Sequence, residues 1–125
     1  MKMMILVNED FKKALVSLSK QPLPLKAAFK MKSIIKKVDE EQAKYDECRK
    51  EALERLGEKG EDGKLIVENG IVKMSAENLA KFAKEVQVFQ DEEVDFSKLK
   101  LSELGEDVLL TTQEMLLLDH IIMED

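Results

Sequence analysis

Residues 58–69 read EKGEDGKLIVEN, the stretch of this chain that comes nearest to a metal loop. A twelve-residue calcium loop takes oxygen ligands from positions 1, 3, 5, 7, 9 and 12. It also needs glycine at position 6 for a sharp turn and a bidentate glutamate at position 12. With Gly63 at position 6, position 1 is Glu58, position 3 is Gly60 and position 12 is Asn69. Asp62, at position 5, fits. Glycine offers no side-chain ligand and asparagine no bidentate carboxylate, so the stretch does not read as a calcium site. The runs KLIV and IVKM flank Asn69-Gly70, the pair that best tolerates the positive φ of a two-residue hairpin turn. Glu61-Asp62-Gly63 supplies a second turn just before. The stretch therefore predicts a β-hairpin at about 64–74.

Other chemistry lacks its parts. The chain has one histidine, His120, and one cysteine, Cys48. A structural zinc site needs four nitrogen or sulfur ligands and cannot be built from these two within one chain. A Ser-His-Asp triad would hinge on His120, which lies in an apolar C-terminal run. Cys48 falls on the apolar side of a helix and reads as a small buried residue. Glycine-rich phosphate loops and a nucleophile elbow are absent from the sequence. Adjacent acids such as Asp46/Glu47, Glu92/Glu93 and Glu124/Asp125 are expected among 26 acids, and they read as solvated faces. The chain thus reads as a non-enzyme, with no cofactor, no metal and no small-molecule substrate.

Charge is the stronger signal. The net charge is −6, yet residues 11–38 carry eight lysines and no acid, while residues 39–125 carry 11 bases against 24 acids. Lys26, Lys30 and Lys37 share one helical face, with Lys32 and Lys36 to one side. Such a stripe could meet phosphates, but it has no arginine and no Tyr or Trp to stack bases. The competing reading is a solvated face that pairs with the protein's own acids, and it is the stronger one. Nucleic acid is the weaker choice of partner. The expected interaction surface comprises Lys26, Lys30, Lys36 and Lys37 with the neighbouring Met31, Ile35, Val38 and Tyr45.

These residues need elements to hold them. The length of 125 residues suits a single domain spanning 1–125. Aromatics are 5%, without tryptophan, so Leu, Ile, Val, Ala and seven methionines must fill the core. The MMILV run at Met3–Val7 predicts a strand, and Asn8 with Glu9 and Asp10 predicts a capped helix to about Ser19. Pro22 and Pro24 break it. Apolar residues recur from Ala28 through Met31, Ile35, Val38, Tyr45 and Ala52 to Leu56, predicting one helix over about 25–56, stopped by Gly57. At 1.5 Å per residue it runs nearly 50 Å. That exceeds what a small domain needs to cover, so one end should project or meet a partner. Ser75 caps a second helix over about 76–90. EEVDFSKLKL reads as a strand pairing beside residues 3–7. Thr111 and Glu114 form a capping box, and HIIMED closes as a strand or fraying helix. The sum is an α+β fold in which the long helix and the second helix form an antiparallel hairpin joined by a small β-hairpin, with additional short strands.

The order of these elements resembles small bacteriophage-encoded proteins of the structural and accessory type. The resemblance lies in MKMMILVNEDF, in LPLKAAFKMKSIIKKVDEEQAKYDECRKEALERLG and in DGKLIVENGIVKMSAENLAKFAKEV followed by EEVDF, and it covers about residues 1–96. It implies no active-site residues. It implies a virion or tail assembly part or an accessory factor, in the host cytoplasm or the virion. Together with the missing catalytic parts, it points to a non-enzymatic protein–protein interaction module whose partner is another protein or a second copy of itself. Two alternatives are an acidic inhibitor of a host protein, of the DNA-mimic or anti-defence type, and a nucleic-acid binder using the lysines of residues 12–37. The apolar run of the N-terminus is too short for a secretion leader and no stretch has the length of a membrane span, so a cytoplasmic location is expected.

Overall fold

The computed structural model describes residues 1–124. Asp125, the last residue of HIIMED and of the Glu124/Asp125 pair, lies outside the described residues. The chain folds as α1 (Met3–Leu6), α2 (Glu9–Ser19), α3 (Leu25–Leu56), β1 (Val67–Glu68), β2 (Ile71–Val72), α4 (Ala76–Gln90), β3 (Leu99–Lys100), a 3-10 turn (Leu101–Leu104), α5 (Thr112–Leu117) and β4 (Ile122–Met123). It is an α+β fold, mostly helical, with two small sheets among the described residues.

The spine is α3, 32 residues without glycine or proline. Its first turn follows Pro24, whose fixed φ suits an entry to a helix, and its last N–H partner is Gly57, which donates to the Leu53 carbonyl at 2.8 Å. The buried stripe is Ala27, Met31, Ile34, Val38, Tyr45, Ala52 and Leu56. It is turned slightly from the predicted one: Ala28 and Ile35 sit half-buried at its margin. Burial also runs the full length of the helix, so neither end projects. Elements from both sides of α3 in sequence cover this stripe, and the apolar surface left uncovered lies off it, at Leu25 and Phe29 in the first turns. Towards its N-terminus α3 packs against α2 and the 3-10 turn, and towards its C-terminus against α4.

Helix α4 runs antiparallel to α3. Asn78 Nδ2 donates to the Leu56 carbonyl at 3.1 Å, and Gln90 Nε2 donates to Tyr45 Oη at 3.4 Å. Between them Arg55 forks onto Glu85 at 2.9 and 2.5 Å, and the Arg49 guanidinium lies 5.9 Å from the Phe82 ring centre. Ser75 accepts from the Asn78 N–H at 3.2 Å and starts α4 at the predicted residue. Strands β1 and β2 pair antiparallel, Val67 with Val72 and Glu68 with Ile71. Asn69 (φ 52°) and Gly70 (φ 77°) make the tip, as the turn type requires. Glu58 N–H donates to the Lys73 carbonyl and Ile66 N–H to the Glu58 carbonyl, fastening the hairpin to the end of α3.

Two expectations need correction. Residues Met3–Leu6 are helical and not a strand, and residues 92–99 do not form a strand beside them. A single antiparallel bridge joins Lys2 to Glu93, with Met3 N–H donating to the Glu92 carbonyl at 2.9 Å. The chain then coils, which sends Met3 and Leu6, three apart, into the core together and leaves Met4 half exposed. Leu99–Lys100 instead pairs parallel with Ile122–Met123, a strand within HIIMED.

The core lies at one end. Phe11, Ala14, Leu15 and Leu18 of α2, the first half of the α3 stripe, and Leu99, Leu104, Leu118, Ile121 and Ile122 close around each other. Asn8 caps α2, its Oδ1 accepting from Asp10 N–H at 2.8 Å. The other end is thinner. Helix α4 has no fully buried residue, and only Val86 and Phe89 reach the core's margin.

Candidate functional site

The first turns of α3 present an apolar and cationic surface. Leu25 is 76% exposed and Phe29 62% exposed, one turn apart. Lys32 and Lys36 continue the same helical row, and Lys26 and Ser33 flank it, all exposed. This row lies opposite the buried stripe, so nothing in the fold requires its apolar members. Burial of large apolar side chains is the main drive of folding, and Leu25 and Phe29 take almost no part in it. Lys32 and Lys36 form no ion pair among the described residues. Beside them a shallow cleft is lined by Pro22, Leu23, Ala28 and Ile35.

The predicted surface residues separate into three groups. Met31, Val38 and Tyr45 are buried in the molecule's own core, Met31 at the floor of the shallow cleft and Tyr45 at the wall of a second groove; the helical stripe that drew them into the expected surface is the core stripe. Ile35 is half-buried beside the cleft. Among the lysines, Lys30 bends to Glu103 at 2.6 Å, where its ammonium is the first cause holding that carboxyl below the usual glutamate range; the Lys100 N–H and the charge of Lys26 add to it. Lys37 reaches Glu41 at 3.6 Å along its own helix. Lys26 and Lys36 remain exposed. Pairing with the protein's own acids thus accounts for Lys30 and Lys37, and the row of Leu25, Phe29, Lys32 and Lys36 is what faces outward.

Farther along α3 lies a surface of opposite sign. A groove of about 380 Å³ runs between α3 and α4. Its apolar lining is Met3, Tyr45, Cys48 and Phe89, and its acids are Glu41, Glu47, Glu51 and Glu92, with Lys44 as the one cation of the lining. Glu41 is engaged by Lys37 and by Lys44 at 3.4 Å. Glu47 and Glu51 are exposed and one turn apart. Helix α4 brings no fully buried side chain to its contact with α3, and the seam beside Tyr45 and Phe89 is open.

Sequence reasoning passed over Leu25, Phe29, Glu47 and Glu51. The signal was present: two large apolar residues at a spacing of four, off the stripe and in register with two lysines, have no role in a solvated face. Cys48 lines the groove half-buried, and His120 is exposed in the turn between α5 and β4. Among the described residues no three His, Cys, Asp or Glu side chains are grouped to hold a metal ion, and no helix is long and apolar enough to cross a membrane. No family model, no curated protein and no solved structure matches the chain.

Proposed function

We propose that the protein is a non-enzymatic protein–protein interaction module that binds through the outward row of α3. The observation that carries this reading is the 62% exposed Phe29 beside the 76% exposed Leu25, set among lysines on a rigid helix. A rigid aromatic anchor with flanking charge is the pattern of an interface centre, in which the ring supplies burial and the charges supply orientation and on-rate. The partner's complementary surface is an apolar pocket with an acidic rim. The setting we propose is a bacteriophage's assembly or accessory machinery, on the resemblance of the element pattern to such proteins.

In-cell cross-linking of the full chain tests the reading, with Phe29→Asp as the control. Wild type should capture a protein partner that Phe29→Asp loses while its far-UV circular dichroism is unchanged. Capture of the same proteins by both would refute a binding role for this row.

A further inference from the structure

We propose that the partner surface for the Leu25/Phe29 row is the acid-rimmed α3–α4 groove of a second copy of this chain, giving a head-to-tail assembly. The inference rests on the interaction reading above and names its partner. Three observations lead to it. The row carries Lys32 and Lys36 one helical turn apart, and the groove carries Glu47 and Glu51 at the same spacing, so two helices laid side by side bring the pairs into register. The groove's apolar lining of Met3, Tyr45, Cys48 and Phe89 takes what the row offers between its charges, Leu25 and Phe29. Residues 11–38 contain no acid, so nothing on the row's own segment repels an acidic rim.

The two surfaces cannot meet within one molecule. Both sit on α3, centred about 17 residues apart, and an unbroken helix holds them roughly 26 Å apart along its axis. Each copy therefore offers one donor row and one acceptor groove. Such a contact is heterologous: it closes into a ring or runs on as an open chain, according to the rotation between neighbours. The mode is a helix laid in a groove, with anchors at a spacing of four. Two apolar anchors and a few charge pairs make a contact smaller than the standard stable interface, so the assembly is reversible and weakens as salt screens its charges.

Sedimentation velocity of the full chain over a range of concentration tests this, at about 50 mM and about 500 mM salt. Wild type should exceed the 14.3 kDa monomer at low salt, with mass rising with concentration, and fall back at high salt. Lys32→Glu with Lys36→Glu should be monomeric, because its row now repels the groove. Glu47→Lys with Glu51→Lys should be monomeric for the converse reason. A 1:1 mixture of the two double variants should assemble again, since each reversed surface meets its reversed counterpart. All four positions are exposed, and circular dichroism verifies that the variants fold. Wild type monomeric throughout overturns the proposal and leaves the interaction reading to the cross-linking result. Assembly of wild type that survives either double variant, or variants that fail to complement, overturns it as well. Binding of wild type to vesicles of anionic phospholipid, lost in Phe29→Asp, overturns both readings, because the row would then be a membrane anchor.

Discussion

Two phenylalanines of this chain should respond to the same truncation with very different losses. Phe11 is fully buried in α2, and Phe29 is 62% exposed on α3. Truncating a core phenylalanine to alanine removes the ring's burial and leaves a cavity, at about 3–5 kcal/mol. For Phe29 about four-tenths of the ring is shielded. With about 2–3 kcal/mol for complete burial of such a side chain, the loss is about 1 kcal/mol. Alanine is the better helix former by about 0.5 kcal/mol, which offsets half of that. The expected net costs are about 0.5 kcal/mol for Phe29→Ala and about 4 kcal/mol for Phe11→Ala, against a total stability of about 5–15 kcal/mol for a domain. Urea denaturation followed by far-UV circular dichroism reads both. At a slope of about 1.5 kcal/mol per molar urea, the midpoint should fall by about 0.3 M for Phe29→Ala and by about 2–3 M for Phe11→Ala. A fall above about 1 M for Phe29→Ala would show that the ring belongs to the core and is not available to a partner. The reasoning fails equally if Phe11→Ala falls by less than that.

Other perturbations test the frame that holds the surfaces. A Cβ at Gly57 would stand 2.7 Å from the Leu53 carbonyl oxygen and within 2.8 Å of side-chain carbons of Leu65 and Val72. Because one neighbour is backbone, Gly57→Ala should cost about 1–3 kcal/mol and loosen the β-hairpin, seen as lost amide protection around Ile66 and Lys73. An unchanged melting temperature would count against the tight junction. Ser75→Ala removes the cap of α4 and should cost about 1 kcal/mol by thermal unfolding; a neutral result means α4 is held by packing alone. Stability should fall on the acid side. Glu85, Glu103 and Glu114 are held below the usual glutamate range, first by Arg55, by Lys30 and by the Thr111 N–H respectively. Lowered folded values mean that this stability is fully present above the ordinary glutamate pKa. It is lost as pH falls through the lowered values. Urea midpoints from about pH 7 to pH 3 should decline, and Lys30→Met should flatten part of the decline. An identical pH profile for wild type and Lys30→Met would rule out the Lys30–Glu103 contribution.

How legible the fold was depended on whether a signal was local. Helix α3 was readable because Pro24 and Gly57 punctuate its ends and nothing interrupts it between. Ser75 did the same for α4, and Asn69-Gly70 for the hairpin, since each acts through backbone within four residues. The failures were non-local. Met3–Leu6 is apolar and β-prone, but a strand needs a partner of matching length, and the chain offers one bridge at Glu93. The parallel pairing of Leu99 with Ile122 joins two short runs that carry no mark of each other. The binding surface was half legible for the same reason. The lysines were visible, whereas the exposure of Phe29 and burial of Met31 depend on which elements cover α3, and those come from both of its sides in sequence.

The way the core closes sets when this chain can fold. Phe11, Leu15 and Leu18 are completed by Leu118, Ile121 and Ile122, which leave the ribosome about 100 residues later. At about 5–20 residues per second that delay is about 5–20 s. For that interval the apolar face of α2 lacks its native cover from Leu118, Ile121 and Ile122, although α3 is already there to meet it. The core around α2 therefore closes only once residues 118–122 have been made, and these act as its latch. Chains stalled on the ribosome before Leu118 should be cut by protease within α2, while chains extended past Met123 and out of the exit tunnel should resist.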